Sequence, residues 1–251
     1  LSVNICLIVS AITSVASQIP FLLSVRHYLL KLGKFRLSIL RQAVWYSLRS
    51  YGGGVIKVLS QNGNQVFLLS LSPSALTFFQ TASSTTGLLW AIPKSIGQTS
   101  FPKMIGVNES MLHTRFCRYY RLSLICTTGS AVLYGFSLPI LLPLLFGAPY
   151  RASIVPALIL LINVIVGGLS ALLGDALSST GRTLHNTVCS AAYVGIMLGS
   201  MYFTIAAWGM NGVAVSIVLG QLAQYTVRFI WYNYAISKIK WLDILPRLED
   251  L

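Results

Sequence analysis

Seven stretches of this chain, at residues 1–25, 51–71, 75–101, 122–146, 152–176, 187–207 and 213–234, are long, apolar and nearly free of charge. Each is roughly 20 to 27 residues, enough for an α-helix rising 1.5 Å per residue to cross a hydrocarbon core about 30 Å thick. Lipid offers no partner to a bare backbone N–H or C=O, so such spans must be helices or a closed barrel. The alternating ten-residue pattern of barrel strands does not occur here. The predicted fold is therefore all-α: a polytopic helical membrane protein with about seven transmembrane helices. Composition agrees, since 55% of the 251 residues are hydrophobic and 9% are charged, against about 25% charged in a soluble domain.

The formal charge of +13, from 18 Lys+Arg and 5 Asp+Glu, would raise the question of nucleic acid in a soluble protein. Placement excludes that reading, because the cations gather in every second connection between spans. Residues 26–50 carry Arg26, Lys31, Lys34, Arg36, Arg41 and Arg49; a later connection carries Lys103, Arg115, Arg118 and Arg121; then follow Arg182 and, in the tail, Lys238, Lys240 and Arg247. The intervening connections hold Arg151 alone. The positive-inside rule makes the basic side cytoplasmic, next to anionic headgroups, with the C-terminus inside. Leu37, Leu40, Val44 and Leu48 recur at helical spacing within the basic segment 26–50, as in an interfacial amphipathic helix that either hinges two halves or simply links them. The chain opens on Leu1 inside an apolar stretch without a charged leader, and we read it as a fragment beginning in a span, not a signal peptide.

No enzyme constellation emerges. Cys6, Cys117, Cys126 and Cys189 form no CxxC pair, and His27, His113 and His185 lack a carboxylate or thiol at a meaningful spacing; no metal or cofactor is expected. The informative residues are polar groups inside spans, which are costly in lipid and face a cavity or a partner. Lys57, Gln61 and Asn64 share one helical face. Gln80, Ser84, Gly87, Ala91, Lys94 and Gln98 form a second, and Gln221, Gln224, Tyr225 and Arg228 a third. A cationic, amide-rich cavity suits an anionic passenger. The competing reading has small and amide residues packing helices while Lys and Arg snorkel to the interface. Asp175, the one acid inside a span, is a candidate ion-coupling group; the bland alternative is a structural ion pair, with Arg182 nearby in sequence.

The order of signals from residue 41 onward resembles a known family. Leu48-Arg49-Ser50-Tyr51-Gly52 leads into a polar span, Ile92-Pro93 and Phe101-Pro102 mark the next, and Leu145-Phe146-Gly147-Ala148-Pro149-Tyr150-Arg151-Ala152 precedes the fifth. Ser179-Thr180-Gly181-Arg182 and Trp208-Gly209-Met210-Asn211-Gly212-Val213-Ala214 follow. Together they resemble the C-terminal half of bacterial polysaccharide transporters, the O-antigen and exopolysaccharide flippases of the multidrug/oligosaccharidyl-lipid/polysaccharide exporter superfamily. The stretch at 146–152 departs from the family's Phe-Gly-x-x-Tyr-x-x-Ala pattern, since here Ala follows Tyr after one residue.

The resemblance implies a two-bundle transporter of which residues 1–25 are the last helix of the first bundle, 26–50 the cytoplasmic linker, 51–235 the six-helix second bundle and 236–251 a cytoplasmic tail. It implies a protein of the bacterial inner membrane that flips polyprenyl-pyrophosphate-linked oligosaccharide for surface polysaccharide synthesis, working beside a polysaccharide polymerase and glycosyltransferases. Lys57, Lys94 and Arg228 would then attract the pyrophosphate, and Gln61, Asn64, Gln80 and Gln98 would bond sugar hydroxyls. The rivals are an ion-coupled drug or cation antiporter of the same superfamily, which should concentrate membrane carboxylates, and a membrane polymerase or glycosyltransferase, which should carry a large extramembrane loop.

Overall fold

The computed structural model describes residues 71–181 and 183–239 throughout, the helical stretch 63–69, and scattered helical positions before it (9, 12–14, 16–20, 40–41, 44 and 58). Those scattered positions apart, the first apolar stretch, the basic segment 26–50, Lys57, Gln61 and the tail beyond residue 239 lie outside the described residues. The chain divides into two compact units, Leu1–Ser47 and Leu48–Leu251; everything that follows belongs to the second.

Helix α1 (Pro73–Gly87) starts where Ser72, in extended backbone, accepts the Ala75 N–H on its hydroxyl at 3.1 Å. Pro73 suits that first turn, where a missing N–H costs nothing. The sequence reads 75–101 as one span, but the backbone tightens into a 3₁₀ turn at Leu88–Trp90 and resumes as α2 (Ala91–Met104). Pro93, one turn on, has no N–H to return to Leu89, so an ideal α-ladder cannot run through this point. A carbonyl in the last turn of α1, that of Thr85, instead accepts the hydroxyl of Tyr134, from a later helix, at 3.2 Å. Irregular backbone at membrane depth is tolerated when a neighbour bonds it in this way.

Helix α3 (Glu109–Phe146) has 38 residues, about 57 Å at 1.5 Å per residue, and so outruns the expected span at 122–146. Residues 109–121, read from sequence as connection, are helix because Leu112, Phe116 and Tyr120 recur at every fourth position and are buried. Glu109 also complements the helix dipole in the first turn. Gly147, at φ 97°, ends α3, and a short 3₁₀ turn (Ala148–Ser153) leads into α4 (Ile154–Ser179). Gly181, at φ 79°, reverses the chain. The run Thr183–Ala235 is two helices, α5 over 183–208 and α6 over 210–235, folded at Gly209 with φ 52° and ψ −127°.

Helix α4 is the hub: 14 of its 26 residues are buried, and it packs against each of α1, α2, α3 and the α5–α6 pair. Apolar surface gains little by pairing helices in lipid, so close approach depends on small residues. An added Cβ on Gly167 would overlap the Trp90 ring, one on Gly168 would lie 2.6 Å from Pro93 Cβ, and one on Gly220 of α6 would lie 2.8 Å from the Tyr193 carbonyl of α5.

Among the described residues there is no strand, and three helical runs, Glu109–Phe146, Ala148–Ser179 and His185–Ala235, are long and apolar enough to cross a membrane. The all-α polytopic architecture expected from the sequence is the one found. Gly220→Ala should lower the thermal unfolding temperature of the purified protein, overpacking costing about 1–3 kcal/mol. Gly195→Ala, whose Cβ would meet nothing within 4 Å, should instead hold or raise that temperature, stabilising the protein by up to about 1 kcal/mol. Equal effects at both positions would mean that the α5–α6 seam is not closely packed.

Candidate functional site

A small buried cluster joins His113 Nδ1 to the Tyr232 hydroxyl at 3.1 Å and the Tyr120 and Tyr225 hydroxyls at 2.7 Å, and it brings Cys117 Sγ to 3.7 Å from His113 Nε2, a thiol neighbour that the sequence reading did not expect. Two larger polar constellations contain the residues singled out from the sequence. The first is the outward face of α1 and α2. Gln80, Ser84, Gly87, Ala91, Lys94 and Gln98 are all exposed, joined by Thr77, Ser95 and Thr99. Between Pro73 and Met104 the single exposed large hydrophobic side chain is Leu88. The other helices do the reverse: α3 exposes Leu133, Phe136, Ile140 and Leu144, α4 exposes Val155 and Ile162, and α5 exposes Tyr202 and Phe203. Those faces suit acyl chains. The face on α1 and α2, with amides, hydroxyls and an ammonium, does not. Asn64, in the preceding helical stretch, is half-buried, and its Oδ1 has no partner among the described residues.

The second constellation lies inside the bundle, and sequence reasoning found it only in part. Arg228 of α6 turns inward and donates through Nη1 to the Ser170 carbonyl at 2.8 Å and to Ser170 Oγ at 3.0 Å. It does not snorkel to an interface. Gly174 makes the room, since a Cβ there would sit 3.0 Å from the guanidinium carbon. Asn186 of α5 crosses the same glycine, donating from Nδ2 to the Gly174 carbonyl at 2.9 Å and to Ser178 Oγ at 2.7 Å.

Asp175 interacts electrostatically with Arg228, as does Cys189. Its Oδ2 lies 3.0 Å from where Gly97 of α2 would carry a Cβ. The charged neighbour of Asp175 among the described residues is thus Arg228; Arg182 lies outside them. The polar chain continues along α6, with Gln221 Nε2 donating to Gln224 Oε1 at 3.1 Å and Gln224 Nε2 to Ser190 Oγ at 3.4 Å.

Of the residues singled out from sequence, the structure brings Gln80, Lys94 and Gln98 onto one exposed face and draws Asp175 and Arg228 together inside the bundle. Ser170 and Asn186 had no sequence signal of their own, Gly174 directly precedes Asp175 in the chain, and Cys189 was read from the sequence only as an isolated thiol. Arg228→Met should remove the hydrogen bonds to Ser170 and the cation that acts on Asp175, and losing hydrogen bonds from a charged group costs about 1.5–3 kcal/mol. The double variant Arg228→Met/Asp175→Asn should recover part of that loss in thermal unfolding. Additive losses would show that the two groups are energetically independent.

No protein-family model matches the chain, and no curated protein does. Solved structures do. At 16% identity and a TM-score of 0.68, residues making up 81% of this chain superpose on 48% of an outward-facing multidrug resistance transporter of the MATE family, within the MOP superfamily. At 16% identity and a TM-score of 0.66, the chain covers the same shares of a MOP superfamily transporter from Pyrococcus furiosus, reported to have a binding pocket of reversed polarity that suggests a different function. The chain therefore spans about half the length of these transporters and has the all-α membrane fold of half of such a molecule.

Proposed function

We propose that the protein is a transporter subunit or part that translocates a polyprenyl-pyrophosphate-linked oligosaccharide across the bacterial inner membrane for surface polysaccharide synthesis. The observation that carries this reading is the exposed hydrophilic face running the length of α1 and α2, which holds Lys94 and no carboxylate. An ammonium beside amides and hydroxyls has the chemistry to bind a pyrophosphate and the hydroxyls of its sugars. Lys57, Gln61 and Asn64, from the preceding span, would extend the same lining, and the polyprenyl tail would stay in the bilayer. In this proposal residues 1–25 close a first bundle, 26–50 link it, 51–235 form the second bundle, and the tail lies in the cytoplasm with the polymerase and glycosyltransferases as neighbours.

Asp175 supports a second reading, an ion-coupled drug or cation antiporter, because it lies between α2 and α6 where a change in its charge would be felt by both. Against that reading, the Arg228 cation already acts electrostatically on the carboxylate. Pocket polarity is the property from which a different function was inferred for the Pyrococcus furiosus transporter, and the polarity of this face is cationic.

The complete gene, placed in a strain deleted for its own flippase, is expected to restore surface polysaccharide. Lys57→Ala with Lys94→Ala should abolish restoration at equal membrane abundance, and Lys57→Arg with Lys94→Arg should keep most of it. Restoration by the alanine pair would sink the cationic track; failure of the wild type, given stable insertion and a matching donor, would favour the antiporter.

A further inference from the structure

Where α2 meets α3 the bundle gathers cations on one side. Lys103, exposed in the last turn of α2, donates from Nζ to the Tyr119 hydroxyl at 2.9 Å and stands 5.6 Å from the centre of that ring. Arg115 donates through Nη1 to the Lys103 carbonyl, and Arg118, exposed, lies three residues further along α3 and next to Tyr119. Glu109 begins the same helix, but it is turned about 120° from Arg115 and about 180° from Arg118 around the axis. Among the described residues no carboxylate pairs with any of the three cations. Like charges one turn apart repel, and an acidic segment laid between them turns that repulsion into attraction. Two apolar side chains stand beside the cations in the chain: Ile105, 52% exposed, follows Lys103 by two residues, and Met111, 50% exposed, precedes Arg115 by one turn.

The last described residues run to the same place. Helix α6 closes at Ala235, Asn233 Oδ1 accepts the Ile239 N–H at 2.9 Å, and Ile236 and Ile239 pack on the cluster of Met104, Leu112, Phe116 and Tyr232. Met104 is the neighbour of Lys103, and Arg118 is six residues beyond Leu112, about 9 Å along α3. Residues 240–251 follow. Within them Asp243, Glu249 and Asp250 are three of the five acids in the chain; Lys240 and Arg247 are the cations, and Trp241, Leu242 and Leu245 are among the apolar residues between. From Ile239 an extended chain reaches about 14 Å to Asp243 and about 35 Å to Glu249, well beyond the length of the cationic patch along α3.

We infer that residues 240–251 fold back on this end of the bundle, setting Asp243, Glu249 and Asp250 against Lys103, Arg115 and Arg118, with the apolar residues among them over Ile105 and Met111. The segment is then a strap that ties the end of α6 to the turn between α2 and α3. Charge selects this occupant. The chain as a whole is formally +13, and its other long polar segment, 26–50, holds six Lys and Arg and no acid, so it would be repelled where 243–251 is attracted. The strap holds whatever the passenger, and its fate is independent of the polysaccharide assay.

The test uses the full-length protein in nanodiscs of phosphatidylcholine at low salt, with a photocrosslinking amino acid at the exposed position 111 and the products mapped by mass spectrometry. Wild type should crosslink to residues 240–251. Lys103→Glu/Arg118→Glu should cut that yield about tenfold, and about 1 M salt should lower it too. Adding Asp243→Lys/Glu249→Lys/Asp250→Lys to the reversed pair should bring the crosslink back, a recovery that a misfolded protein could not give. An unchanged yield in the reversed pair, or no recovery on exchanging the charges, would overturn the strap. So would crosslinks to lipid or to other parts of the chain in wild type, or loss of the crosslink when phosphatidylglycerol replaces part of the phosphatidylcholine, since anionic headgroups would then be what fills the patch.

Discussion

Close approach to α4 is the constraint on which the rest of this bundle depends. Helices in lipid are not driven together by water, and only matched surfaces hold them. Helix α4 supplies the match by omitting side chains. Gly167 and Gly174 are seven residues apart and so lie on one face; Gln221 and Arg228 of α6, also seven apart, sit over them, with Gln221 Cδ 3.4 Å and Arg228 Cζ 3.0 Å from the missing Cβ positions. The shared period of seven means that α4 and α6 run in step. Gly168, about 100° around the helix, turns to Pro93 instead. One helix thereby fixes both the buried charge cluster and the seat of the α1–α2 turn.

From this follows the difference between the faces of the bundle. Helices that spend their polar residues inward are left with apolar outward faces, as α3 is with Leu133, Phe136 and Ile140. Helices α1 and α2 turn their bulky groups inward, Trp90 and Pro93 onto the glycines and Phe79 and Met104 into the core. What remains outside is Gln, Ser, Thr and Lys. The polar face is thus the complement of the packing, and any substitution that altered the seat would also re-aim the face.

The helical spans were legible because window hydropathy and backbone satisfaction need no neighbours. Residues 75–101, 122–146, 152–176, 187–207 and 213–234 all fall within described helical segments, with the turn Leu88–Trp90 interrupting the first and the third starting in the last two residues of the turn Ala148–Ser153. The turn itself was not legible. Gly87 and Pro93 could be seen, yet both residue types are common in membrane helices, and what breaks the span here is a tertiary fit to Gly167 and Gly168. The same limit hid the direction of the last helix. A face bearing Gln221, Gln224 and Arg228 reads alike whether it lines a cavity or packs inward, and only Gly167 and Gly174 on another helix decide. Gln80, Lys94 and Gln98 were recoverable as one face because a single helical period relates them even across the break.

The two cations described inside spans show opposite solutions to one electrostatic problem. Arg228 is taken out of water but surrounded: a carbonyl and hydroxyl from Ser170, the Asp175 carboxylate and the Cys189 thiol all interact with it. Lys94 has no hydrogen bond or ion pair among the described residues and is exposed. It stands ten residues from the end of α2 at Met104, about 15 Å along the helix, too far for one Lys stem to reach the helix end by snorkelling. An unpaired ammonium facing acyl chains mid-span costs about 2.5–3.5 kcal/mol even on the milder scales. On the track proposed above, the face that carries Lys94 is wetted or meets an anionic group, and its exposed polar neighbours Gln98 and Ser95 belong to the surface that water or such a group would meet.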